Sequence, residues 1–259
     1  MTKAGQGIVV DPSAYRASPS ERLRTNDLLA LFPKFGTASL DVGARDGYFS
    51  LLLAERFERV VALDLTLPNV THPRVQCVEG TAAKLAFPDQ AFEFVFCAEV
   101  LEHIPTTSLP VVCSEMARVT ASRLLVGVPY RQDTRVGRTT CYTCGRKNPP
   151  WGHVNRFNEA TIADLFSGFT IDRISFVGQT SEATNALSTK LMDLAGNPYG
   201  TYAQDEPCVH CGSRLLPPPK RTLGQCLVTK AAFWTRRATE AFARPHANWM
   251  HVLLARPGA

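Results

Sequence analysis

Three groups of residues in this chain have types and spacings that can do chemistry. In "SLDVGARDGYFS", residues 39–50, an apolar run ends in Asp41 and is followed by Gly43 and Gly47. Strand, glycine turn and helix in that order let backbone N–H groups come close to a nucleotide-like ligand. Downstream, "RVVALDL" ends in Asp64, where a carboxylate at the tip of a second strand accepts hydrogen bonds from ribose hydroxyls. Glycines at strand ends also serve turns alone, so the pair needs support from other residues. The second group is cysteine: "CYTCG" supplies Cys141 and Cys144, and "CVHCG" supplies Cys208 and Cys211. Two thiolates at that spacing fold onto one metal, four complete a tetrahedral site, and Gly145 and Gly212 allow the turn. The 63 residues between Cys144 and Cys208 far exceed the gap in an autonomous zinc ribbon, so a metal here ties two distant insertions together. Structural zinc is the expectation; disulfides, independent thiol pairs or an iron centre satisfy the same spacing. Cys77, Cys97, Cys113 and Cys226 sit in apolar settings and read as packing residues, and His210 reads as a bystander. The third group is "AEVLEH". If a helix begins just after the preceding strand, Glu99, Glu102 and His103 stand at i, i+3 and i+4 and share one face.

The elements that must position these groups alternate between strand and helix. "SLDVG", "RVVALDL", "RVQCVE", "FEFVFCA" and "SRLLVGVP" are short, rich in β-branched or aromatic residues and bounded by turn formers. "YFSLLLAERF" and "LPVVCSEMARVT" carry helical spacing, "ERLRTNDLLALFPKF" is a leading helix, and "FTIDRISFVG" and "MHVLLARP" form a closing pair. The expected fold is α/β, a Rossmann-like, doubly wound and mostly parallel sheet with a closing antiparallel strand and a zinc-tied insertion. The expected organisation is one domain over 1–259: a leading helical segment 1–36, a ligand-binding core 37–130, and insertions at about 131–152 and 180–248.

Composition excludes other classes. At 259 residues and 45% apolar content the chain buries a full core, which a disordered protein cannot do. No apolar run approaches a membrane span, "MTKAGQGIVVDPS" has no signal-peptide core, and the expected location is the cytoplasm. The net charge is +5, and between residues 220 and 245 six basic residues, Lys220, Arg221, Lys230, Arg236, Arg237 and Arg244, face one acid, Glu240. "CLVTKAAFWTRRATEAFA" is then either a solvated helix packed on the sheet through Leu227, Phe233, Trp234 and Phe242, or a basic face for anionic lipid, a phosphorylated acceptor or RNA.

The order "LDVGARDGYFS", "VVALDL", "VEGTAAKLAFPDQAFEFVFCAEVLEHI" resembles the class I S-adenosylmethionine-dependent methyltransferases, in particular those acting on small molecules and glycans. The resemblance covers residues 37–130 well and the rest thinly. It implies that Asp41, Gly43 and Gly47 hold the methionine part of the cofactor, that Asp64 holds the ribose, that Thr81 and Ala82 lie beside adenine, and that Glu99 lies beside the methyl donor. Arg45 departs from the family, in which a glycine often stands between the two outer ones. A nicotinamide dehydrogenase needs G-x-G-x-x-G, which "GARDGYF" lacks.

"AEVLEH" is also similar to the run that holds a divalent cation in ubiquinone-pathway O-methyltransferases and in small-RNA 2′-O-methyltransferases, which add a later histidine, here His153. Mg²⁺ or Mn²⁺ on those groups orients an acceptor hydroxyl; without a cation, His103 or His153 is the general base. The resemblance thus implies O-methylation of a glycan, glycolipid or small hydroxylated metabolite. The insertion that begins with "VGVPYRQDTRVGRTTCYTC" follows the fifth strand and is expected to wall the acceptor side, with Tyr130, Arg131, Trp151, His153 and Asn155 as candidate acceptor contacts. The alternatives are a metal-dependent RNA 2′-O-methyltransferase and a zinc-bearing binding protein without turnover.

Overall fold

The computed structural model describes residues 16–218 and 220–258, which divide into two compact units. The reading of "MTKAGQGIVVDPS" falls outside the described residues. One unit, residues 22–131, 157–178 and 247–258, contains the sheet. Its elements in chain order are α1 (Pro19–Leu31), β1 (Gly36–Val42), α2 (Tyr48–Ala54), β2 (Phe57–Asp64), β3 (Val75–Glu79), β4 (Phe92–Ala98), α3 (Leu109–Val119), β5 (Thr120–Pro129), α4 (Glu159–Leu165), β6 (Thr170–Val177) and β7 (Trp249–Ala255).

The sheet order is β3-β2-β1-β4-β5-β7-β6. The first five strands pair in parallel, and β7 runs antiparallel to both β5 and β6. Because strand side chains alternate between faces, β1, β2, β4 and β5 each supply one core with one set of residues. Leu40, Val61, Val95 and Leu124 enter a cluster closed by α3 and α4 through Met116 and Ile162. Val60, Phe94, Phe96 and Leu125 enter a second cluster closed by α1 and α2 through Leu28 and Leu53. Strands buried on both faces explain why these segments read as nearly continuous apolar runs.

The turn after β4 departs from the sequence expectation. Residues 99–107 form successive turns rather than a helix, and helix begins again only at Leu109. Glu99 has a left-handed φ of 57°, and His103 N–H bonds back three residues to the Val100 carbonyl at 3.0 Å. Pro105 disfavours helical geometry at Ile104, so six residues cannot propagate an α-helix there. Glu99, Glu102 and His103 therefore do not share a helical face.

The other unit comprises residues 16–21, 132–156 and 179–246. Two-residue strands Thr139–Thr140 and Lys147–Asn148 form a small hairpin, and helices α5 (Ala186–Leu194) and α6 (Leu223–Glu240) pack together. A capping box starts α6: Thr222 Oγ1 accepts Gln225 N–H while the Gln225 side chain accepts Thr222 N–H. The interface between these helices is polar, with Asn185 Nδ2 donating to Thr235 O at 2.8 Å and Ser188 Oγ donating to Ala232 O at 2.8 Å. Leu227, Trp234 and Phe242 are exposed, which corrects the expectation that they anchor this helix to a core. Among the described residues no helix is long and apolar enough to cross a membrane.

Candidate functional site

The order of the sheet reverses between β1 and β4, and a ligand crevice opens beyond the carboxyl ends of strands at such a point. The turn after β1 lies there. Gly43 and Gly47 have φ of 79° and 77°, conformations that L side chains rarely adopt. A Cβ on Gly43 would overlap Val100 Cγ2, and one on Gly47 would overlap Val70 Cγ2. The two glycines therefore allow close approach of two valine walls. Arg45, the departure noted in the sequence, is also left-handed, with φ of 50°. Its N–H donates to Asp64 Oδ2 at 2.8 Å, which ties the glycine turn to the tip of β2.

Asp41 is buried, and Ser50 Oγ of α2 donates to its Oδ2 at 2.6 Å. Burial pushes its carboxyl up to about 7; the Ser50 bond opposes the rise, and the charges of Asp64 and Asp46 add to it. Asp41 thus clamps β1 to the helix after the turn. Thr81 lies in the turn after β3, where its hydroxyl accepts Ala83 N–H at 3.2 Å, while Ala82 packs into the core.

Glu99 is held from two elements the sequence reading did not assign to the site. Arg24 Nη1 of α1 lies 3.7 Å from Glu99 Oε1, and Trp249 Nε1 of β7 donates to Oε2 at 3.3 Å. The Arg24 guanidinium also stands over the Trp249 ring, 5.9 Å from its centroid. A signal existed for Arg24: it shares the inward face of α1 with Leu28 and Leu31, an unusual place for a cation. Nothing marked Trp249, whose partner is 150 residues away. Glu102 is fully buried and neither carboxylate oxygen has a hydrogen-bond partner among the described residues. Burial and the neighbouring Glu99 charge push its carboxyl well above the usual carboxylate range, against a backbone hydrogen bond and the Arg24 charge that lower it. His103 lies in the same run of turns.

His153, Trp151 and Asn155 belong to the other unit. His153 is buried, and its Nδ1 lies 2.6 Å from Gln132 Oε1. An amide oxygen can only accept, so Nδ1 donates in this bond. Trp151 is left-handed and half-exposed, with its N–H bonded to Gln204 Oε1 at 2.7 Å. In the sheet unit, Tyr130 Oη donates to Glu159 Oε1 at 2.7 Å and Arg131 pairs with Glu159 Oε2 at 3.3 Å.

The cysteine group converges within that second unit. The Sγ atoms of Cys141, Cys144, Cys208 and Cys211 all lie within 4.8 Å of one another. Cys141 to Cys211 and Cys144 to Cys208 are both 3.7 Å, the edge of a tetrahedron whose centre lies about 2.3 Å from each sulfur. A disulfide needs about 2.05 Å, and all eight cysteines are unbridged. The two loops repeat one backbone design. Cys141 N–H bonds Arg146 O and Gly145 N–H bonds Cys141 O; Cys208 N–H bonds Ser213 O and Gly212 N–H bonds Cys208 O, all at 2.8–2.9 Å. Gly145 and Gly212 take φ of 74° and 70° in open space. His210 donates its backbone N–H to Cys208 Sγ at 3.4 Å while its ring nitrogen meets Lys147 O, so the imidazole is engaged away from the sulfurs. Cys97 and Cys113 are core residues, and Cys77 and Cys226 are half-buried.

Comparison with known proteins places this geometry. Residues 40–123 match the family model described as "Methyltransferase domain". A protein of Mycolicibacterium smegmatis named as a probable S-adenosylmethionine-dependent methyltransferase is 31% identical over 146 residues, 53% of this chain and 53% of that protein. The chain therefore spans about half the length of the curated relative it matches. The N-methyltransferase NodS from Bradyrhizobium japonicum, solved with S-adenosyl-l-homocysteine, superposes with a TM-score of 0.52 at 15% identity, covering 96% of this chain and 94% of that one. The [4+2]-cyclase SpnF superposes with a TM-score of 0.52 at 18% identity, covering 91% of this chain and 81% of that one. Likeness at this identity is likeness of fold. The chain has the Rossmann-like fold of the class I S-adenosylmethionine-dependent methyltransferases, and residues 40–123 are the segment that matches their methyltransferase domain.

Proposed function

We propose that this protein is an S-adenosylmethionine-dependent methyltransferase that methylates oxygen on a glycan, glycolipid or small hydroxylated metabolite. The observation that carries the reading is the turn after β1: two left-handed glycines at the sheet's switch point, tied by Arg45 N–H to the acid at the tip of β2. When bound, S-adenosylmethionine supplies a methyl group on a sulfonium, already activated for displacement. The protein's work is alignment and removal of one proton. Gly43 and Gly47 bring backbone to the ligand, Asp64 accepts the ribose hydroxyls, Thr81 and Ala82 border the base, and Asp41 keeps the turn in register. Glu99, fixed by Arg24 and Trp249, presents a carboxylate beside the donor. His153, with Nδ1 held by Gln132, takes the acceptor proton on Nε2, and His103 is the second imidazole for that role.

Cys141, Cys144, Cys208 and Cys211 form a structural zinc site in this reading. Four thiolates leave no open position for a substrate, so the ion holds residues 132–156 to residues 179–246 and supplies no chemistry. Isothermal calorimetry of the purified chain with S-adenosylmethionine and with NADH tests the assignment. Binding of the first and not the second is expected; the reverse preference would overturn it.

A further inference from the structure

Helix α6 is amphipathic the wrong way round for a globular protein. Its inward side is small and polar, with Thr229 and Ala232 buried and Thr235 and Thr239 bonded to Asn185. Its outward row is apolar: Leu223, Leu227, Ala231, Trp234 and Ala238 recur every three or four residues, and Phe242 continues the row just past the last turn. Leu223 is 86% exposed, Leu227 67%, Trp234 70% and Phe242 87%. The neighbouring α5 likewise exposes Leu187 and Leu194. Large side chains arranged in a row, rather than scattered, mark a surface that meets something.

The charges beside that row say what it meets. Lys230 and Arg237 flank it, the Arg237 guanidinium standing 5.7 Å from the centroid of the Trp234 ring. Lys220 and Arg221 lie at one end and Arg244 at the other. The single acid of the segment, Glu240, is paired with Arg236 at 2.7 Å. An apolar stripe about 27 Å long, bordered by cations and carrying a tryptophan, is the pattern of a helix that lies in the plane of a lipid surface. We infer that α6 docks this protein on an anionic membrane, its leucines, Trp234 and Phe242 entering the acyl boundary and its cations meeting acidic headgroups. A second copy fits less well, because a two-fold helix pair would bring like charges together. RNA fits less well because Leu223 and Leu227, half of the row's large side chains, offer no face for base stacking. The inference does not depend on the methyltransferase reading.

Sedimentation of the full chain with vesicles tests it, comparing phosphatidylcholine alone with phosphatidylcholine mixed with phosphatidylglycerol. Binding to the mixed vesicles, weakened by added salt and weak on phosphatidylcholine alone, is expected. Leu227→Glu and Trp234→Glu should each lower partition about tenfold or more with the melting temperature unchanged, because both side chains are exposed. Lys230→Glu should lower it at least about fivefold. If either glutamate variant melts early, Leu227→Gln and Trp234→Ser replace them as uncharged probes. Wild-type protein left in the supernatant with both vesicle types would overturn the inference, as would binding that none of these variants weakens. A dimer in sedimentation velocity that Trp234→Glu dissolves would overturn it in favour of a second copy. Binding of a single-stranded RNA oligonucleotide lost in the same variants, with no vesicle binding, would overturn it in favour of RNA.

Discussion

Asp64 Oδ2 accepts the backbone N–H of Arg45 at 2.8 Å, joining the tip of β2 to a turn whose middle residue is left-handed. For a residue with a side chain that conformation costs about 1–2 kcal/mol. A hydrogen bond to a charged acceptor contributes about 1.5–3 kcal/mol, enough to hold the turn without glycine. The two facts account for an arginine at the position where the resemblance read from the sequence led to the expectation of glycine. The turn needs the backbone amide and the φ, and both survive with arginine.

Arg45→Gly should keep the amide and remove the strain, raising stability by up to about 1 kcal/mol in urea titration. Asp64→Ala removes the amide bond and, on the proposed function, the acceptor of the ribose hydroxyls, and should weaken S-adenosylmethionine binding by about 1.5–3 kcal/mol in calorimetry. Unchanged affinity would remove Asp64 from the cofactor site.

Purified protein should carry one zinc per chain. Cys144→Ser or Cys208→Ser should lower metal content and melting temperature together, because binding free energy at a structural site is folding free energy. Elemental analysis that finds no metal, with thiol pairs oxidised, would favour disulfides instead.

The buried carboxyl of Asp41, pushed up to about 7 from 3.8, makes folding take up a proton across that interval. Its contribution is fully present below about pH 4, where both states are protonated, and is lost as pH rises toward 7, because the unfolded chain ionises first. The loss is on the order of 4 kcal/mol. Asn at this position can still accept the Ser50 hydroxyl but has no proton to gain. The stability of Asp41→Asn relative to wild type should therefore rise between pH 4 and 7, read from urea midpoints of both proteins at each pH. A constant difference across that range would mean that Asp41 ionises normally.

His153→Ala should lower turnover about 10²- to 10⁴-fold, with the loss relieved at high pH, if Nε2 takes the acceptor proton. Gln132→Leu, which removes the partner of Nδ1, should lower the rate by a smaller factor and leave S-adenosylmethionine affinity unchanged. Brief EDTA treatment should leave activity intact, with the melting temperature as control for the thiolate site. A clean dependence on added Mg²⁺ or Mn²⁺ would overturn the imidazole base.

Much of this molecule was legible in its sequence because the signals are local. Strands buried on both faces must be apolar throughout, so "RVVALDL" and "FEFVFCA" announced themselves, and glycines that must be left-handed stand at 43, 47, 145 and 212 whatever surrounds them. Paired C-x-x-C runs carry their own turn, so four cysteines in two distant segments already implied a shared centre. What needed tertiary structure was whatever depends on residues far apart or on competition between local rules. "AEVLEH" has helical spacing, yet Glu99 turns left-handed and Pro105 follows too soon for a helix to form. Glu99 takes its partners from the first helix and the last strand, contacts no local pattern encodes. The direction in which α6 faces could not be read either. Its sequence shows an apolar stripe and a charged stripe, and a stripe of leucines ordinarily turns inward. Only the polar packing of Asn185 and Ser188 against its other side leaves that stripe in solvent, since the face a helix buries is set by the neighbour it packs against.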